Sequence, residues 1–138
     1  MSSNPASLDF PFKRLRNVRT KLLRLHKALL ESEKVEYEKI HGPIRSRGEF
    51  FQLVIGEGMF SWLRPFSQLI AQIDEVMAAK DEPVTLQQVN QLLEESQMLL
   101  RASENGNERE KRYYEVIQRD PDIAFMHAEL SQLLTQKK

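Results

Sequence analysis

Leu15, Val18, Leu22, Leu25 and Leu29 recur at steps of three and four residues. At about 100° per residue those steps hold all five side chains within roughly an 80° sector of an α-helix, whereas a strand would scatter them over both faces. A stripe of that length has to be covered by other apolar surface, so the chain reads as a helical bundle built around this segment. The helix is expected over residues 12–41. Gly42 and Pro43 close it, because glycine accepts the left-handed cap conformation and proline cannot extend the ladder.

Apolar period and punctuation alternate along the rest of the chain. Ser46, with Glu49 three residues later, is a capping-box pattern. It opens a short apolar helix through Phe50, Phe51, Leu53, Val54 and Ile55 that ends at Gly56 and Gly58. The box, and the lack of any partner strand, decide for helix over strand. Pro65 suits a first turn, which starts the next helix near residues 61–65 and carries it to about residue 80, with Leu69, Ile70, Ile73, Val76 and Met77 inward.

A turn over residues 81–85 leads to a second capping box, Thr85 with Gln88. The helix after it carries Leu86, Val89, Leu92, Leu93, Met98, Leu99 and Leu100 and is expected to stop at Asn105 and Gly106. A helix over residues 107–119 follows, with Tyr113, Tyr114, Val116 and Ile117. Asp120 then caps a last helix with Pro121 at its first position, buried through Ile123, Met126, Leu130, Leu133 and Leu134. One helix kinked at Pro121 is the alternative. Lys137 and Lys138 suit a helix C-terminus. The expected fold is all-α, a compact helical bundle of four main helices plus one or two short ones. It forms a single domain over residues 12–138, preceded by a disordered or extended segment, residues 1–11.

At 138 residues the chain has the size of one domain and can bury about two-thirds of its unfolded surface without staples. It has no cysteine, which removes disulfides, thiolate zinc sites and cysteine nucleophiles together. Residues 1–11 lack the apolar stretch of a signal peptide, and no later run reaches the length of a bilayer span, so a cytoplasmic protein with no membrane association is expected. Twenty basic residues balance twenty acidic ones, unlike the positive excess of a dedicated nucleic-acid binder. The distribution is uneven: residues 13–27 hold seven bases and no acid, and residues 74–110 hold nine acids and three bases.

Those seven bases, Lys13, Arg14, Arg16, Arg19, Lys21, Arg24 and Lys27, spread over the arc left by the leucine stripe rather than along one phosphate track. They read as a solvated basic face with the acidic stretch as its neutralising partner; binding of nucleic acid or protein there is the alternative. The stripe is needed to close the core, which argues against this helix lying on a bilayer. Glu38 and His41 make one Glu-x-x-His pair, and carboxylate-bridged di-iron bundles need two such pairs and two more glutamates. His26 and His127 have Leu23 and Ala124 where the glutamate should stand. No metal or cofactor is therefore expected, and His41 beside Gly42 reads as a helix-end cation.

Gly56-Glu57-Gly58 lacks both the Gly-Lys-Ser/Thr ending of a phosphate loop and the third glycine of a dinucleotide loop, and reads as a turn. Ser46, Ser61, Ser67 and Ser96 have no histidine at suggestive local spacing, and the glutamates read as helix surface, so no catalytic residue is assigned and the chain is expected not to be an enzyme. Met59, Phe60, Trp62 and Phe66 crowd four large side chains into eight residues. Phe60 and Trp62 would lie about 200° apart on an α-helix. Core packing accounts for most of the cluster; a member left outside would, with Arg64, make a candidate interface.

Three stretches carry a likeness together: Ile40-His41-Gly42-Pro43-Ile44, Trp62-Leu63-Arg64-Pro65-Phe66-Ser67-Gln68-Leu69-Ile70 and Arg119-Asp120-Pro121-Asp122. Over about residues 22–134 the chain resembles a group of short, all-helical bacterial proteins with no assigned activity. The resemblance implies a stand-alone cytoplasmic protein and brings no catalytic or binding residue with it. From the residues themselves, the expected role is protein–protein interaction, self-association as a homodimer included. Nucleic-acid association and small-ligand or metal binding are the alternatives.

Overall fold

In a computed structural model, which describes residues 5–56, 58–79 and 83–135, the leucine stripe lies on one 37-residue helix, α1 (Pro5–His41). Leu15, Val18, Leu22, Leu25 and Leu29 are all fully buried, each worth about 2 kcal/mol of apolar transfer free energy. There follow α2 (Arg47–Gly56), a 3-10 helix (Gly58–Leu63), α3 (Arg64–Ala78), α4 (Leu86–Leu99), α5 (Glu108–Arg119) and α6 (Pro121–Thr135). Every regular element among the described residues is helical, and the fold is all-α. The long helix is the hub: α3, α4, α6 and the 3-10 helix all pack on it, while α5 docks on α6 and the 3-10 helix. The expected turn residues 81 and 82, and Lys137 and Lys138, lie outside the described residues.

Local chemistry sets most of the boundaries. Gly42 has φ 87°, and its N–H donates to the Glu38 carbonyl at 2.9 Å, the left-handed cap that ends α1. Thr85 and Gln88 close a reciprocal capping box on α4. Asn107 and Glu110 make a second such box on α5. Asp120 takes an extended backbone, φ −125° and ψ 101°, and its Oδ1 accepts from the Asp122 N–H at 3.1 Å. Thus α5 and α6 are two helices, not one kinked helix.

Gly106 precedes the second box, and a Cβ placed there would fall on the Glu110 carboxylate and 2.8 Å from its Cβ. Gly106→Ala should therefore break the box and lower stability by about 1 kcal/mol, measurable as a shift of the urea midpoint. An unchanged midpoint would show the box to be dispensable.

Three expectations are corrected. Residues 5–11 are not extended but belong to α1, which runs through Pro11; residues 1–4 lie outside the described residues. Pro11 forfeits one ladder bond, and flanking contacts support the turn, with the Arg14 guanidinium 5.0 Å from the Phe10 ring and Arg16 5.3 Å from the Phe12 ring. Helix α4 stops at Leu99 rather than at Asn105. Arg109 Nη1 donates to the Leu99 carbonyl at 2.8 Å, satisfying a terminal acceptor, and the next residue, Leu100, turns into the core.

The third correction concerns the aromatic cluster. Phe60, Trp62 and Phe66 are buried, so the interface alternative does not hold for them. Phe60 and Trp62 diverge within the 3-10 helix, and both are covered because that segment packs against α1, α2, α3 and α5. Phe60 turns toward Tyr37 and Phe50, with ring centroids at 6.0 and 5.8 Å. Trp62 turns the other way, edge-on to Phe66 at 6.2 Å and beside Tyr113 at 6.3 Å.

Candidate functional site

The step of four from Leu29 lands on Glu33, which continues the leucine stripe into the core. Its carboxylate is buried and fully engaged. Oε2 accepts from Arg112 Nη2 at 2.7 Å and from Trp62 Nε1 at 3.0 Å, and Oε1 accepts from Arg119 Nη2 at 2.7 Å. Arg112 also donates to the Met59 carbonyl at 3.2 Å and lies 5.9 Å from the Trp62 ring; Arg119 also donates to Ser32 Oγ at 3.0 Å. One carboxylate thus ties α1, the 3-10 helix and α5 together. The group is closed on itself, the two guanidinium groups facing Glu33 and, 4.0 Å from Arg119 Nε, the Glu36 carboxylate, and offers no open position to a substrate.

The open surface lies elsewhere, around α2. Helix α2 carries Phe50, Phe51, Leu53, Val54 and Ile55 within ten residues, yet none of its residues is buried. Phe51 is 61% exposed, and Ile55, one turn on, is exposed beside it. Under α2, against α1 and the start of α3, lies a cavity of about 460 Å³. Leu30, Phe50, Phe51, Val54, Ile55, Phe60 and Leu63 wall it, and its polar residues are His26, Arg47, Arg64 and Ser67. Arg64 Nη2 donates to the Ile55 carbonyl at 2.7 Å, pinning the end of α2 to the start of α3. Of the sequence-derived interface residues, then, Arg64 is exposed and Met59 half-buried, while the three aromatic rings face inward.

The basic face is partly engaged. Arg19 makes a two-pronged pair with Asp74, Nε–Oδ1 at 2.7 Å and Nη2–Oδ2 at 3.1 Å, joining the basic and acidic stretches. Lys13, Arg16, Arg24 and Lys27 are exposed and Lys21 half-buried, spread around α1 on either side of the buried stripe. Glu38 does not turn to His41. It accepts the Ile44 N–H at 2.8 Å and so fixes the loop after α1, while the His41 ring stacks on Tyr37 with centroids 4.4 Å apart. No group of three or more metal-binding side chains occurs among the described residues, and no helix among them is long and apolar enough to cross a membrane.

Two histidines are partly sunk in the protein. His26 borders the cavity, and His127 Nδ1 lies 2.8 Å from the hydroxyl of the buried Tyr113. Burial holds both imidazoles below the ordinary histidine pKa and pushes the Tyr113 phenol up. The unfolded chain therefore takes up these protons first. Stability is fully present above about pH 6.5, is lost as pH falls through that value, and levels off once the folded imidazoles protonate too. Melting midpoints should fall between about pH 7.5 and pH 5, and fall less in His127→Gln; a flat profile would contradict the burial of these rings.

Sequence reasoning missed Glu33, Arg112 and Arg119, and the cavity. No family model, curated protein or solved structure matches this chain.

Proposed function

We propose that this chain is a non-enzymatic, cytoplasmic helical-bundle protein that acts by binding another protein through the outer face of α2, a second copy of the chain being the first partner to test. The reading rests on one observation: α2 carries five large apolar side chains within residues 50–55, and none of its residues is buried. A surface helix ordinarily keeps a polar outer face, and exposed aromatics such as Phe51 serve well as interface anchors.

Light scattering after size exclusion should give a mass above the 16.2 kDa of a single chain at tens of micromolar. The double variant Phe51→Lys, Ile55→Lys should return the mass to that of one chain. Both side chains are largely in solvent, so the variant's stability should change by no more than about 0.5 kcal/mol per site. A wild-type chain that stays monomeric at those concentrations rules out self-association through α2.

A further inference from the structure

We propose that the cavity beneath α2 binds a single-chain aliphatic carboxylate. The site shares Phe51 and Ile55 with the face of α2 proposed for protein binding, but ligand titration and chain mass are read separately, so either reading can fail without the other. Its volume, about 460 Å³, falls within the roughly 300–1,000 Å³ of small-ligand sites. The walls are apolar and aromatic, and Leu30, Phe50, Phe60 and Leu63 offer no polar atom to a ligand that enters between them. At the edge the charged side chains are Arg47 and Arg64, with His26 and Ser67 as further polar groups; among the described residues no carboxylate lines the cavity.

In a chain of zero net charge, that one-sided edge selects the ligand. An uncharged hydrocarbon would leave the guanidinium groups without a counter-charge, and a cation would meet like charge. A polyanion such as a nucleotide would set its polar atoms against aromatic walls, which carries a desolvation penalty with no hydrogen bond in return. One anionic head on an alkyl chain satisfies both halves of the site.

The packing also orients that ligand. Arg19 pairs with Asp74 and Glu33 with Trp62, so α1 runs antiparallel to the 3-10 helix and α3, which brings His26 level with Ser67. Ser67 lies one turn beyond Arg64 on α3. Ser67 gives its hydroxyl hydrogen to the Arg64 carbonyl at 3.0 Å, so Arg64 and His26 are the donors where α2 ends, and the carboxylate sits there with its tail toward Phe50 and Phe60. Arg64 commits one N–H to the Ile55 carbonyl, which holds the guanidinium in place and leaves other N–H groups for a carboxylate. Arg47, at the far end of α2, adds positive charge to the rim.

Titration calorimetry of the full chain with decanoate, with decanol as the uncharged control, tests this directly. Decanoate should bind saturably, one molecule per chain, and decanol at least about tenfold more weakly, the loss expected for one charge-assisted hydrogen bond. Arg64→Gln should weaken decanoate by a similar factor and leave decanol unchanged. Val54→Trp, which fills the cavity from α2, should remove both. Absence of saturable decanoate binding overturns the proposal. So does equal binding of decanoate and decanol, which describes an unselective apolar crevice. The comparison of the two ligands on the wild-type chain stands even if a variant fails to fold.

Discussion

Replacing Glu33 by alanine should lower the unfolding free energy by about 3 kcal/mol, read as a drop in the urea midpoint at unchanged slope. Among the described residues Glu33 is the one charged side chain placed in the core stripe of α1, with 2% of its side chain exposed. Its loss strands three donors that converge on it, Arg112, Arg119 and the Trp62 N–H. Removing one member of a buried ion pair usually costs about 3–5 kcal/mol, because the partner's charge is left without compensation. Here the guanidinium groups are 29% and 33% exposed, so they can turn to water, which sets the expectation at the lower end. Glu33→Gln should do no better: its amide offers one acceptor oxygen and turns an NH₂ toward the remaining arginine. Replacing all three charged residues by leucine should recover most of the loss, since a buried ion cluster is often no more stable than a well-packed apolar one. A Glu33→Ala penalty under about 1 kcal/mol would show that the carboxylate is a bystander.

Glu33 also marks the limit of what was legible in the chain. The apolar period of α1 is local information, as are the caps at Gly42, Thr85 and Asp120, and these place the end of α1 and the starts of α4 and α6 within a residue or two. The leucine stripe even points at Glu33, four residues beyond Leu29. Nothing nearby announces its partners: Arg112 and Arg119 lie 79 and 86 residues away in sequence and read as surface charges of α5.

The same holds for the wedge at residues 58–63. An α-helix there would have forced Phe60 or Trp62 outward, whereas a 3-10 helix packed against α1, α2, α3 and α5 buries both. The end of α4 was misplaced because Leu100 and Arg109 act through tertiary contacts that no turn signal encodes. The cavity under α2 was invisible for a related reason. It arises from the docking of four elements, α1, α2, the 3-10 helix and α3, and its edge draws His26, Arg47 and Arg64 from three different helices.

Trp62→Ala should also cost about 3–5 kcal/mol, the usual range for an aromatic ring removed from a core. The residue acts in two ways, which a second variant separates. Its ring fills the space between Phe66 and Tyr113 and lies beneath Arg112; its N–H is one of three donors to Glu33. Trp62→Phe keeps most of the ring and drops the donor, so its smaller loss, about 1.5–3 kcal/mol for a hydrogen bond to a charged group, measures the polar part. Combined with Glu33→Ala, the phenylalanine substitution should add little, because the acceptor is already gone and the two sites share one interaction. Full additivity of the two losses in urea unfolding would mean that the indole N–H and the carboxylate do not act on each other, and that the ring's packing alone holds the 3-10 helix against α1.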